Sequence, residues 1–142
     1  MENTQFIIPM LSYENGTDAL QWLCNVFGFT EKTKWIDESG RLSHGEIEMH
    51  GQIIMLASPT PVYQSPKHHR EICEDARKWS EVPYIINGIL VYVDNIEDHF
   101  ETSKANGAFI LSGLEYGGPG TRYRAEDLEG QRWMFMQKDG QG

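Results

Sequence analysis

Apolar positions come in two periods along this chain, and the periods alternate in a fixed order. Phe6-Ile7-Ile8-Pro9-Met10-Leu11 is a continuous apolar run, which predicts a strand buried on both faces. Leu20, Leu23, Cys24 and Phe27 then follow at i, i+3, i+4 and i+7, the spacing of an amphipathic helix. Asn15 to Thr17 supplies its cap and Gly28 its stop. Strands are predicted over 32–36 and 42–49 around the turn Asp37-Glu38-Ser39-Gly40, and over 52–57 after the turn at His50-Gly51. The order recurs later. A strand over 88–93 leads to a helix opened by Asp94 and Asn95, with Glu97 and Asp98 in the first turn, where negative charge suits the helix dipole. That helix runs to Asn106 with Gly107 at its end, and two or three strands follow to Gln137, interrupted by Gly117-Gly118-Pro119-Gly120.

The recurrence is also one of residues. Asn15 and Asn95, Asp18 and Asp98, Glu14 and Asp94, and Leu20 and Phe100 stand in register, and Gly28 matches Gly107 after a one-residue slip. Gly51-Gln52-Ile53-Ile54-Met55-Leu56 matches Gly130-Gln131-Arg132-Trp133-Met134-Phe135. Several matches in one order at nearly constant spacing argue for an internal duplication of a β-α-β-β-β unit. The expected organisation is one domain over 1–142, with module one at 5–58, a linker at 59–84 and module two at 85–138. Within the linker, Ser65-Pro66 starts a short helix whose face is marked by His69, Ile72, Cys73, Ala76 and Trp79, ended before Pro83.

A doubled βαβββ unit with an Asp/Asn-capped helix, a Phe27-Gly28-Phe29 ending and a Gly-Gln-x-x-Met-Leu/Phe closing strand resembles the vicinal oxygen chelate superfamily. That group includes glyoxalase I, bleomycin-resistance proteins and extradiol dioxygenases. The stretch from Tyr123 to Phe135 is similar to the ending of many glyoxalase-like proteins. The resemblance implies an α+β fold, with two modules whose curled mixed sheets enclose a shared cavity, commonly in a homodimer. It also implies four metal-ligand places, on the first and last strand of each module. Counted from the capping and glycine motifs, they fall on Ile8, Met55, Gly88 and Met134. Thioethers, an alkyl group and a glycine cannot hold a hard divalent ion, so no metal and no cofactor is expected there.

Composition narrows the choice of partner. Twelve Lys and Arg stand against 21 Asp and Glu, a formal charge of −9, with no basic run to displace counterions from phosphate. Neither nucleic acid nor an anionic membrane surface is expected as a partner. The N-terminal Met1-Glu2-Asn3-Thr4 lacks the pattern of a secretory leader, and two cysteines do not make a disulfide scaffold. A cytoplasmic protein is the expectation.

The strand 42–49 alternates, with His44, Glu46, Glu48 and His50 on one face and Gly45, Ile47 and Met49 on the other. A half-buried strand with its polar face in water accounts for this. A cavity wall accounts for it too, with His44 and Glu46 as candidate acid and base or, with Glu48, as a relocated metal site. His68 and His69 with Cys73 make a two-ligand set at most, and Glu71 and Glu74 oppose a reactive thiolate. The Gly117–Gly120 segment is neither a P-loop nor a dinucleotide fingerprint; it reads as a lid or hairpin connection, with Arg122 and Arg124 near enough to meet an anion. The expected ligand-binding set is Met10, Ser12, His44, Glu46, Glu48, Met55, Tyr92, Arg132 and Met134. The functional expectation is a metal-independent apolar cavity for a small organic molecule. The alternative is a lyase or isomerase using a relocated metal or the His/Glu pair.

Overall fold

The computed structural model describes residues 5–84 and 87–137. The chain divides into two compact units, Met1–Ser65 and Pro66–Gly142. Each carries a four-stranded mixed sheet with one longer helix packed on it.

In the first unit, β1 (Met10–Ser12), α1 (Gly16–Phe27), β2 (Thr30–Ile36), β3 (Leu42–Met49) and β4 (Gln52–Ala57) follow in order. The sheet order is β1-β4-β3-β2, with β1 parallel to β4 and the other pairs antiparallel. The helix starts where Asn15 accepts a hydrogen bond from the Asp18 amide at 3.1 Å, and it stops at Gly28, whose φ of 90° suits a residue without a Cβ. Leu20, Leu23, Val26 and Phe27 are buried on its inner face, as are Leu42, Ile47, Ile54 and Leu56 of the sheet. Gly16 allows the close approach: a Cβ there would lie 2.8 Å from both Leu42 and the Ser58 hydroxyl, which accepts the Gly16 amide at 2.7 Å.

The second unit begins with α2 (Pro66–Ile72) and α3 (Glu74–Trp79) and continues through β5 (Gly88–Tyr92), α4 (Ile96–Ala105), β6 (Phe109–Glu115), β7 (Thr121–Glu126) and β8 (Arg132–Gln137). Its sheet order, β5-β8-β7-β6, reproduces the first, including the parallel β5–β8 pair. The cap is reproduced as well: Asn95 accepts from the Asp98 amide at 3.1 Å. Trp133, Phe135, Tyr123 and Ala125 are buried, and α4 lays His99 and Phe100 on them, with ring centroids 4.3 Å (His99–Phe135) and 5.0 Å (Phe100–Tyr123) apart. The predicted βαβββ duplication is thus the observed architecture, and each sheet is open. Among the described residues no helix is long and apolar enough to cross a membrane.

Two expectations need correction. The run from Phe6 to Leu11 is not a strand buried on both faces: the ladder begins at Met10, and Phe6 and Ile7 are 94% and 87% exposed. Pro9 has no amide to donate, and its carbonyl accepts from Met55; ahead of it, the Gln5 side chain reaches Ile53 in place of a backbone ladder. The single linker helix is two, because Cys73 is extended (φ −132°, ψ 115°). The break buries Ala76 and leaves Ile72 61% exposed, so the predicted continuous apolar face does not form. The linker also divides by its hydrogen bonds. The Ser65 amide donates to Glu14 of the first unit at 2.8 Å, while Lys67 donates to the Glu129 carbonyl of the second at 3.0 Å.

Tyr123 is fully buried, donating to Ser103 at 3.0 Å with His99 Nδ1 at 2.7 Å from its hydroxyl. Burial pushes its phenol well above the ordinary range. A raised acid holds its proton more firmly when folded, so this stabilisation is complete below about pH 10 and is lost as the pH rises beyond it. Tyr123→Phe is expected to cost about 1–2 kcal/mol at neutral pH through the lost hydrogen bonds. That deficit should shrink above pH 10, which urea unfolding at pH 8 and pH 11 measures.

Candidate functional site

Strand alternation gives each sheet one face against its helix and one open face. On the first sheet the register sets Met10, Met55, Glu46 and Thr33 in one row across β1, β4, β3 and β2. His44 Nε2 lies 2.8 Å from Glu46, and its ring is 5.3 Å from that of Trp35. Glu48 on the same face is 3.6 Å from Lys32 Nζ. Met10 is 78% exposed, and Ser12 lies two residues along, opposite Ala57. His50 is in the β3–β4 turn at φ 54° and does not continue the polar row. The arrangement can bind a polar group or transfer a proton between the imidazole and a bound molecule.

On the second sheet the matching row is Leu90, Met134, Arg124 and Ser112, flanked by a row of Gly88, Arg132 and Glu126 and by one of Tyr92, Met136 and Arg122. A pocket of about 210 Å³ lies here, lined by residues that include Tyr84, Leu90, Arg124, Arg132 and Met134. Its wall is held by a buried ion cluster. Glu126, 1% exposed, receives both terminal nitrogens of Arg70 at 2.6 and 2.8 Å and the Nε of Arg132 at 2.8 Å. Arg132 also donates to the carbonyls of Ser80 (2.7 Å) and Val82 (2.9 Å). Its guanidinium is therefore engaged by the protein although the residue lines the pocket. The hydrogen bonds that Arg70 donates to Glu126 hold its proton more firmly than usual, outweighing the opposing effect of partial burial. Arg122 closes the β6–β7 hairpin by donating to Gly117 and Gly120 carbonyls at 3.1 and 3.0 Å. Arg124 lies over the Tyr84 ring, its central carbon 5.8 Å from the centroid.

The expected set thus falls on two sheets, with Met10, Ser12, His44, Glu46, Glu48 and Met55 on the first and Tyr92, Arg132 and Met134 on the second. Tyr84, Leu90 and the Glu126 cluster were not anticipated. Tyr84 is in the linker, where no periodicity points to a site; Leu90 shares the strand parity of Tyr92 and was legible from it. Met55 pairs with Met10 and Glu46, Met134 with Leu90 and Arg124, and Gly88 with Arg132, whose guanidinium is a cation and no metal ligand; Ile8, Met55, Gly88 and Met134 themselves bring no oxygen or nitrogen side chain. These residues do not fit a hard divalent cation. Among the described residues, no three His, Cys, Asp or Glu side chains gather as a metal site. Partial burial, reinforced by the Glu31 carboxylate, pushes the Cys24 thiol up, away from the thiolate.

A family model described as the Glyoxalase/Bleomycin resistance protein/Dioxygenase superfamily matches residues 9–135. No curated protein sequence matches the chain significantly. Among solved structures, TioX from Micromonospora sp. ML1 is 24% identical with a TM-score of 0.67, the match covering 97% of this chain and 99% of that one. TnmS3, an antibiotic binding protein from Streptomyces sp. CB03234, is 14% identical with a TM-score of 0.63 over 96% and 98% of the two chains. The bleomycin-binding protein from Streptomyces verticillus, complexed with copper(II)-bleomycin, is 9% identical with a TM-score of 0.62 over 98% and 100%.

Removing one partner of a buried ion cluster leaves the others uncompensated. Glu126→Ala is therefore expected to cost about 3–5 kcal/mol, read as a lowered urea midpoint. Glu48→Ala, which breaks only a half-exposed pair, should cost less than about 1 kcal/mol in the same measurement.

Proposed function

Because the chain belongs to the Glyoxalase/Bleomycin resistance protein/Dioxygenase superfamily, we propose that it binds a small organic molecule on its open sheet faces without a metal. The observation that carries this reading is the donor set. The places counted for a metal hold Ile8, Met55, Gly88 and Met134, and the parallel-strand partners of the two methionines, Met10 and Leu90, are equally soft or apolar. Methionines adapt to varied apolar shapes, and here they stand beside aromatic and cationic groups that can orient a ligand. TnmS3 and the bleomycin-binding protein are described as binders of antibiotics, which supports a binding role on this fold. The reading includes a cytoplasmic homodimer, since the exposed Phe6, Ile7 and Met10 put apolar surface beside the open β1 edge, where a second copy would cover it.

A second reading rests on the 2.8 Å contact between His44 and Glu46, an acid–base pair for lyase or isomerase chemistry. The two readings separate by experiment. A thermal-shift screen of small organic compounds on chelator-treated protein is expected to raise the melting temperature for a subset, because binding stabilises the folded form. Hits that disappear on chelation and return with one equivalent of a divalent metal would refute metal independence. Turnover of a hit that His44→Gln abolishes while its thermal shift persists would favour the second reading.

A further inference from the structure

Three arginines stand on the open face of the second sheet near the pocket, and two are committed to the protein. Arg122 serves the Gly117 and Gly120 carbonyls and lies 3.8 Å from Glu115. Arg132 serves Glu126 and two carbonyls of the linker. Arg124 differs. Its row neighbours are Met134 and Ser112, and among the described residues no carboxylate pairs with it. Its described contact is the face of the Tyr84 ring.

Arg124 is half-buried and lines the pocket. A guanidinium is a permanent cation, and partial burial strips part of its hydration without an anion to replace it. The neighbouring cluster adds to this, because two arginines surround the single carboxylate of Glu126. In a chain of formal charge −9, the charged residues that line this pocket are both arginines, a lining that favours negative ligands. The rest of the lining is uncharged and includes Tyr84, Leu90 and Met134, surfaces suited to a flat apolar body. The volume of about 210 Å³ is below the ~300–1,000 Å³ typical of drug-sized ligands, so that body is one ring or a fused pair.

Resting on the binding role proposed above, we infer that the pocket takes a small aromatic carboxylate, its carboxylate paired with Arg124 and its ring laid between Tyr84 and the Leu90–Met134 floor. A planar guanidinium fork matches a carboxylate in bidentate geometry. With one uncommitted arginine the site balances a monoanion, whereas a phosphate dianion would keep an unmatched charge.

The test is isothermal titration of the 142-residue chain with matched acid and amide pairs: benzoate with benzamide, and indole-3-carboxylate with indole-3-carboxamide. Each acid is expected to bind at least tenfold more tightly than its amide, with the advantage shrinking as salt is raised. Arg124→Gln should bring the acid down to the amide's affinity and leave the amide unchanged. Tyr84→Ala should weaken acid and amide alike and preserve their ratio. Melting temperatures equal to that of the parent chain confirm that each variant folds. Equal affinities of acid and amide, an unaffected Arg124→Gln, or tighter binding of phenyl phosphate than of benzoate would overturn the anion class and leave the pocket reading standing. Failure of every acid and amide, together with no hit in the wider thermal-shift screen, would remove both.

Discussion

The Glu126 carboxylate organises the second half of this protein. Buried almost completely, it would be costly to desolvate alone, and the fold surrounds it with four guanidinium contacts from Arg70 and Arg132. Those contacts bind elements far apart in sequence. Arg70 belongs to α2, Glu126 to the end of β7, and Arg132 to the start of β8, and Arg132 goes on to fix the chain at Ser80 and Val82. The segment after α3 therefore approaches the sheet where Pro83 and Tyr84 wall the pocket. A second clamp secures the adjoining turn. Asp127 accepts from the Glu129 and Gln131 amides and from the Trp133 indole, and Gly130 lets the Lys67 backbone pass at a distance no Cβ would permit. A cluster that spends two arginines on one carboxylate gains little net stability over apolar packing. Its structural effect is to fix a loop, and that loop carries the pocket's aromatic wall.

Local chemistry was legible where the fold obeys local rules. Asn15 and Asn95 cap their helices because a short amide side chain can turn back to an amide three residues on, whatever surrounds it. β3 and β4 match their predicted bounds because two-residue alternation is strong there and the turns are short. Legibility failed where a tertiary partner or a missing donor decides. Nothing local reveals that Pro9 delays the first ladder, or that Cys73 leaves the helix to redirect Ala76. The Arg70–Glu126 pair spans 56 residues, and the Tyr84–Arg124 contact joins a linker to a strand. Such pairings exist only once the chain has folded, so sequence periodicity carries no trace of them.

The duplication makes a further comparison possible, because the two halves place different chemistry on one backbone plan. In the first sheet the row across the strands reads Met10, Met55, Glu46, Thr33; in the second it reads Leu90, Met134, Arg124, Ser112. The two edge-side positions are soft and apolar in both halves. The third is a carboxylate in one and a guanidinium cation in the other. The same backbone plan therefore carries opposite charges at matching sites.

The consequence differs between the halves because the companions of these charges differ. Glu46 has His44 at 2.8 Å, and its neighbour Glu48 has Lys32, so the first face satisfies its own acids. On the second face the acids among the described residues are Glu126 and Glu115, and both face arginines other than Arg124. A charge that a protein desolvates without a partner of its own destabilises the fold unless something else supplies the counter-charge. Tyr84 offers part of that through its ring face, yet a ring quadrupole is a weak substitute for an anion. The imbalance at Arg124 is thus the point at which the second sheet departs from self-sufficiency, and the same imbalance gives an incoming anion its hold.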